Sequence, residues 1–124
     1  MKNLSSNRLQ LLGQITGEVQ VRYSPSGIGH AEFMFEHRSM QYEGSLSRQA
    51  YCKIRTVVSN HVFTEHKDSL HTDAQLVLTG FLSVRQQRNG AQEMVFYVQH
   101  LELSKEHQND QETSSIGPLA QEIL

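Results

Sequence analysis

Hydrophobic and polar residues alternate along the first part of the chain. In "RLQLLGQITGEVQVRY", residues 8–23, the apolar side chains recur mostly at odd positions, namely Leu9, Leu11, Ile15, Val19 and Val21. A period of two is typical of a strand with one buried face. Gly13 and Gly17 interrupt the pattern and indicate a bend or a bulge. This segment is therefore predicted to be the first strand.

A turn and a second strand follow. In "SPSG", residues 24–27, Pro25 presets φ and Gly27 can supply a positive φ, which is the chemistry of a tight turn. The alternation then resumes from about Ile28 to Met40 and predicts a strand. Its buried face carries Ala31, Phe33 and Phe35.

The third strand is predicted over "RQAYCKIRTVVS", residues 48–59, after a loop at "YEGSLS", residues 42–47. Alternation again separates two faces. One face carries Ala50, Cys52 and Ile54, and the other carries Tyr51, Lys53 and Arg55.

The second half of the chain predicts two more strands. Residues 60–74 are ambiguous between a short helix and an ordered loop. A fourth strand is expected over residues 75–85, interrupted by Gly80, and a fifth over residues 93–103. Between them, Asn89-Gly90 is a strong short-range signal for a hairpin.

Five strands, with room for a short helix between the third and the fourth, predict an all-β OB-fold, which is a five-stranded Greek-key barrel. A small open β-sandwich is the alternative. Residues 1–103 form the predicted OB-fold domain. Residues 104–124 are polar and lack periodicity, so they predict a tail that is disordered or that docks on a partner through its closing "IGPLAQEIL".

Charge and composition narrow the functions and locations that the chain can have. The net charge is −2, but the tail carries one lysine and four acidic side chains, which leaves +1 on residues 1–103. Nucleic-acid affinity would therefore need a local cationic patch. A single cysteine excludes an internal disulfide and a cysteine-based zinc site. Without a signal-peptide core or a membrane span, the protein is expected in the cytoplasm.

The third strand holds the best candidate for nucleic-acid binding. Tyr51 shares a face with Lys53 and Arg55, so an aromatic ring is interleaved with two cations, as in proteins that stack bases and follow the backbone of a single strand. An exposed strand tyrosine among solubilising charges is the alternative. Further candidate cations lie at strand ends and in the last hairpin, and these are Arg22, Arg38, Arg48, Arg85 and Arg88. Arg38 could instead pair with Glu36, and Arg48 has the parity of the buried residues.

Catalytic and metal-binding patterns are not found. The seven histidines include no helical i, i+4 pair backed by a carboxylate. Ser24 and Ser26 lie outside any G-x-S-x-G turn. Cys52 has the parity of the core and is expected to be a small buried hydrophobe. No cofactor is predicted, and an enzyme on an OB-like barrel is the least favoured class.

Three stretches carry a family resemblance. "SPSGIGHAEFMFEHRS", "RQAYCKIRTVVSNH" and "LTGFLSVRQQRNG" resemble the primosomal replication protein N family in order and spacing, over about residues 8–103. The resemblance implies a homodimeric OB-fold relative of bacterial single-strand DNA-binding protein. It further implies binding to single-stranded DNA, to the restart helicase (PriA-like) and to its loader-recruiting partner (DnaT-like), with Tyr51 at the position of a stacking tryptophan.

The sequence also departs from that family. Three family lysines correspond to Gln86, Arg88 and Glu93, and a phenylalanine platform corresponds to Leu46. The resemblance therefore implies weaker DNA binding than the family norm, because each lost phosphate contact lowers affinity. Two functions remain open: a primosome component that binds single-stranded DNA and the helicase, and a primosome adaptor that mainly binds protein.

Overall fold

A computed structural model describes residues 6–104 of the chain. It contains five strands, one α-helix and one 3-10 turn. In chain order these are β1 (Leu9–Tyr23), β2 (Gly29–Glu43), β3 (Leu46–Ser59), α1 (Asn60–His66), the 3-10 turn (Lys67–Ser69), β4 (Gln75–Gln86) and β5 (Gln92–Leu103). The predicted tail, residues 104–124, lies outside the described residues apart from Ser104.

The strands form a closed barrel in the order β1-β2-β3-β5-β4. The predicted five-stranded OB-fold is confirmed, and the open sandwich is excluded because β4 returns to pair with β1. β1 pairs with a strand on each side: Gln14 lies opposite Glu36 of β2 and also opposite Gln75 of β4. A register shift between Thr16 and Gln20 includes Gly17, whose φ is +72°, so the predicted bulge is present.

The barrel interior is filled by residues that the alternation marked as buried, but Val21, which shared their pattern on β1, is 48% exposed. Ile15, Phe33 and Phe35 are at most 1% exposed. The fourth and fifth strands and the end of the third contribute the remaining buried side chains of the barrel, chiefly Val58, Leu76, Leu78, Phe96, Val98 and Leu101. Burial of one strand face explains why the period of two predicted the strands.

The ambiguous segment forms α1 followed by the 3-10 turn. Val62 and Phe63 are buried on the barrel, and Leu70 joins the same core. A helix of seven residues is too short to be stable alone in water, so its packing against the barrel maintains it. Phe63 also meets the edge of Tyr23 at the end of β1, with the ring centroids 6.0 Å apart. The helix therefore closes one end of the barrel.

The prediction of a loop over residues 42–47 is wrong in length, because the connection in the structure is shorter. β2 continues to Glu43 and β3 begins at Leu46, so the connection is a two-residue turn at Gly44 and Ser45. Gly44 has a φ of +64°, which favours glycine in such a turn. Residues 41–49 are exposed on both faces, because this β2–β3 hairpin extends beyond the barrel. A strand without a buried face shows no hydrophobic alternation, which explains the missed extension.

Two hairpins project from the same end of the barrel. β3 and β5 are parallel and pair only over Arg55–Val58 and Val95–Val98. The β2–β3 turn and the β4–β5 turn both precede this paired stretch, so both hairpins extend in one direction. Asn89 accepts a hydrogen bond from the Ala91 amide in the β4–β5 turn, as the predicted hairpin requires.

Gly80 lies at a register shift in β4. A Cβ atom at this position would collide with the carbonyl oxygen of Tyr97 on β5. Backbone atoms of a paired strand cannot move aside cheaply, so only glycine fits here.

We expect Gly80→Ala to lower the free energy of unfolding by roughly 1–3 kcal/mol, as overpacking does. Urea denaturation followed by circular dichroism measures this loss. Ser83→Ala is the matched control, since Ser83 is exposed on the same strand. Equal unfolding midpoints for the wild type and Gly80→Ala would contradict the close approach of the two strands.

Candidate nucleic-acid interface

The outer face of β2 and β3 brings several of the predicted binding residues together. In the antiparallel register, Arg38 lies opposite Tyr51, Glu36 opposite Lys53, and Met34 opposite Arg55. Directly opposed residues share one side of a sheet. The predicted grouping of Tyr51, Lys53 and Arg55 on one face is therefore present, and Arg38 joins it from the neighbouring strand.

Tyr51 is held by two neighbours on this face. The guanidinium carbon of Arg38 lies 4.5 Å from the centre of the Tyr51 ring, which is a cation–π contact. The Tyr51 hydroxyl donates a hydrogen bond of 2.9 Å to Glu36, and this bond raises the pKa of Tyr51. Tyr51 is nevertheless 50% exposed. The arrangement holds an aromatic ring in place on a residue that is half open to solvent.

Arg38 also contacts Glu36, at 3.5 Å, so the ion pair considered from the sequence is present. With the side chain of Arg38 62% exposed, such a pair contributes little to stability. Glu36 thus contacts both the ring's hydroxyl and the cation above the ring. The carboxylate organises this part of the surface more than it stabilises the fold.

Lys53 is exposed beside this cluster. It lies opposite Glu36 in the register, but the described part of the chain places no carboxylate within ion-pair distance of its ammonium group. Lys53 is therefore available to a bound anion.

Arg55 and Arg85 form a closed ring of charges with Glu32 and Glu93, which we call the carboxylate–arginine network. Arg85 donates from both terminal nitrogens to the two oxygens of Glu32, at 3.0 and 2.8 Å. Arg55 donates to Glu93 at 3.2 Å and lies 3.5 Å from Glu32. Arg85 also lies 3.4 Å from Glu93. The network ties the β4–β5 hairpin to β2 and β3.

The pKa values in the network shift as these contacts require. Hydrogen bonds from Arg85 lower the pKa of Glu32 and raise that of Arg85 itself. A hydrogen bond from Gln87, followed by those from the two arginines, lowers the pKa of Glu93. These shifts favour the charged forms of Glu32, Glu93 and Arg85, and the two arginines of the network face two carboxylates.

The other predicted cations lie apart from Tyr51. Arg48 faces the opposite side of the β2–β3 hairpin, where it donates to Glu43 at 2.7 Å. The register of β2 and β3 contains no bulge that would turn it toward Tyr51. Arg88 is exposed in the β4–β5 turn. Arg22 lies opposite His30 of β2. His30 is eight residues from Arg38 on the same strand, a distance of about 26 Å along an extended strand.

His37 is a positioning residue that the sequence did not single out. Its Nδ1 donates to the carbonyl oxygen of Leu12 on β1 at 2.7 Å, and its Nε2 lies 2.7 Å from the hydroxyl of Ser39. A carbonyl only accepts, so Nδ1 carries a hydrogen. The contact joins the base of the β2–β3 hairpin to the barrel. No sequence signal indicated it, because it depends on where β1 passes.

Three further findings on the described residues concern metal ligands, membrane-spanning helices and the thiol of Cys52. Within residues 6–104, no three His, Cys, Asp or Glu side chains are grouped as metal ligands. Over the same residues, no helix has the length and apolar character to cross a bilayer. Cys52 is partly buried, and burial raises the pKa of its thiol, which disfavours a nucleophilic role.

Residues 7–100 match the model of a protein family described as another single-strand binding protein family. The chain is 36% identical over 100 residues to the replication restart protein PriB of Serratia proteamaculans, which covers 81% of this chain and 95% of that protein. It is 40% identical over 97 residues to PriB of Pectobacterium carotovorum, covering 78% and 92%.

Solved structures show the same fold. PriB of Ralstonia solanacearum superposes with a TM-score of 0.64 at 23% identity, over 80% of this chain and 98% of that one. A Plasmodium falciparum SSB, solved in complex with ssDNA, superposes with a TM-score of 0.67 at 16% identity, over 84% and 99%. By its sequence matches and its barrel, the chain belongs to the PriB family of replication restart proteins, within the single-strand binding proteins.

Proposed function

We propose that this protein binds single-stranded DNA on the outer face of β2 and β3 and acts in bacterial replication restart. The observation that carries the proposal is the half-exposed Tyr51, with Arg38 above its ring and Lys53 beside it. Single-strand binders combine such a stacking ring with cations that meet the backbone. The PriB relatives support a role in replication restart. The fold shared with a DNA-bound SSB supports single-stranded DNA as the ligand.

Each group on the face has a distinct role in this proposal. A base stacks on the exposed part of the Tyr51 ring, whose orientation the hydrogen bond to Glu36 maintains. Lys53 and Arg38 contact the flanking phosphates. Because Arg38 and Glu36 already contact the Tyr51 ring before DNA arrives, binding loses less side-chain entropy at this ring than it would at an unsupported one.

The two hairpins define the ends of the binding face. In this proposal the DNA strand passes between the β2–β3 turn and the β4–β5 turn, since OB-folds use the β4–β5 loop to bind oligonucleotides. Arg88 in the β4–β5 turn is proposed to contact phosphate. Arg48 and Arg22 are proposed as outer contacts, reached only by DNA that passes around the hairpin or along β2.

Bridging to the restart helicase and to its loader-recruiting partner is also proposed, together with a cytoplasmic location. Homodimerisation is supported by the open edges of the strands. Among residues 6–104, β3 has no partner on its β5 side before Arg55, and apolar side chains such as Leu46 and Val84 are exposed. A second copy would cover edges and apolar surface that a small barrel leaves open.

An adaptor that mainly binds protein is the second candidate. The observation in its favour is the carboxylate–arginine network, which occupies two of the arginines on the face. Residual DNA binding and full binding of the restart helicase would be expected in that case.

We expect Tyr51→Ala to weaken binding of a fluorescent oligo-dT by roughly five- to 100-fold, since stacking contributes about 1–3 kcal/mol per base. Tyr51→Phe keeps the ring, loses only the hydrogen bond to Glu36, and should bind within a few-fold of the wild type. Fluorescence anisotropy at low salt measures both. Equal affinity of the wild type and Tyr51→Ala would contradict stacking, and unchanged retention of the helicase in that variant would favour the adaptor.

Lys53→Gln should flatten the salt dependence of oligo-dT affinity by about 0.7 in the log–log slope, the value for one phosphate contact on a single strand. Lys67→Gln is the matched control, because it removes the same charge from the exposed 3-10 turn next to α1. The slopes come from titrations at several salt concentrations. If the two variants had the same slope, Lys53 would not lie on the DNA path.

A dimer in solution should scatter light with twice the mass of the 14.1 kDa chain. Multi-angle light scattering at micromolar concentration makes the measurement. A mass of one chain under those conditions would exclude the homodimer, and it would leave the proposed DNA contacts within one barrel unaffected.

A further inference from the structure

The carboxylate–arginine network lies where DNA phosphates would need its arginines. Arg55 is two residues from Lys53 on the same strand face, and Arg85 is at the base of the β4–β5 hairpin. Arg85 presents a two-pronged guanidinium to Glu32. This is also the geometry with which arginine binds a phosphate group. Each carboxylate therefore takes the place that a phosphate oxygen would occupy.

The network is exposed enough to exchange partners. The side chains of Arg55 and Arg85 are each 35% exposed, and those of Glu32 and Glu93 are 22% and 24% exposed. Ion pairs that solvent reaches are weak, so an incoming polyanion can compete for the arginines. The competition costs affinity, because an arginine N–H that binds a carboxylate must leave it before the same N–H binds a phosphate.

We propose that Glu32 and Glu93 act as internal competitors of DNA phosphate, holding Arg55 and Arg85 and thereby setting both the affinity and the salt dependence of DNA binding. The inference rests on the proposed DNA binding. In this inference the face has two parts. The cations around Tyr51, namely Lys53 and Arg38, are available to DNA. Arg55 and Arg85 become available only when their ion pairs with the carboxylates break.

The geometry selects Glu93 as the residue to change. Glu93 contacts both arginines and also accepts a hydrogen bond of 2.8 Å from Gln87 in its own hairpin. A glutamine keeps the size of the side chain and one carbonyl oxygen for these donors, so Glu93→Gln removes the charge and preserves most of the packing. Glu32 remains to hold the hairpin through Arg85.

Oligo-dT titrations of the full chain at several salt concentrations test the proposal. Glu93→Gln should bind about two- to fivefold more tightly than the wild type at low salt, the equivalent of one exposed ion pair. The log–log salt slope should steepen by about 0.7 for one additional phosphate contact. Glu65→Gln is the matched control for net charge, since Glu65 is exposed on α1. The gain should disappear when Arg55→Gln and Arg85→Gln are also present.

The outcomes separate this inference from the proposed function. If the wild type binds and Glu93→Gln binds no more tightly, or no more than Glu65→Gln does, the competition is overturned and DNA binding stands. If only Glu93→Gln binds, the competition is supported and the wild type's DNA binding fails. If neither protein binds at low salt, both proposals are overturned, because removing the carboxylate charge has not made the arginines available.

Discussion

Four residue pairs between two parallel strands close the barrel, and the rest of the structure depends on them. Arg55–Val58 of β3 pair with Val95–Val98 of β5, and these four are the register pairs between the two strands in the described residues. Without this pairing, β3 and β5 would both be open edges and the buried faces of Val58 and Phe96 would meet solvent. The parallel direction also makes both hairpins leave the barrel at one end. The shape of the candidate interface is therefore a consequence of barrel closure.

The same pairing brings opposite charges together. Arg55 lies beside Val95, two residues after Glu93, and Glu93 lies opposite Arg85 in the β4–β5 hairpin. Glu32 completes the group from β2. Contacts that hold the β4–β5 hairpin in place are thus made by cations that a polyanion would also use. In the proposed competition, the two carboxylates hold the β4–β5 hairpin in place and reduce the positive charge that is available to DNA.

The two faces of the β2–β3 hairpin have different roles. One face joins the hairpin to the barrel, and the other presents an exposed aromatic ring. On one face, His37 bonds to the carbonyl of Leu12 and joins the hairpin base to β1. On the other face, Arg38 and Glu36 orient the exposed ring of Tyr51. A binding surface is more precise when its first contacts rest on ordered neighbours. The strand end "EHRS" supplies both functions because alternate residues point to opposite faces.

The sequence by itself determined the five strands of the barrel and the grouping of Tyr51 with Lys53 and Arg55, because half-buried strands impose a period of two. It did not determine the β2–β3 hairpin over residues 41–49, since a segment exposed on both faces has no such period. Nor did it determine α1, whose seven residues are helical because Val62 and Phe63 pack on the barrel. The partners of Arg85 were decided only by tertiary structure: Glu32 is 53 residues away in sequence, and no local pattern records which distant carboxylate a closed barrel places beside an arginine.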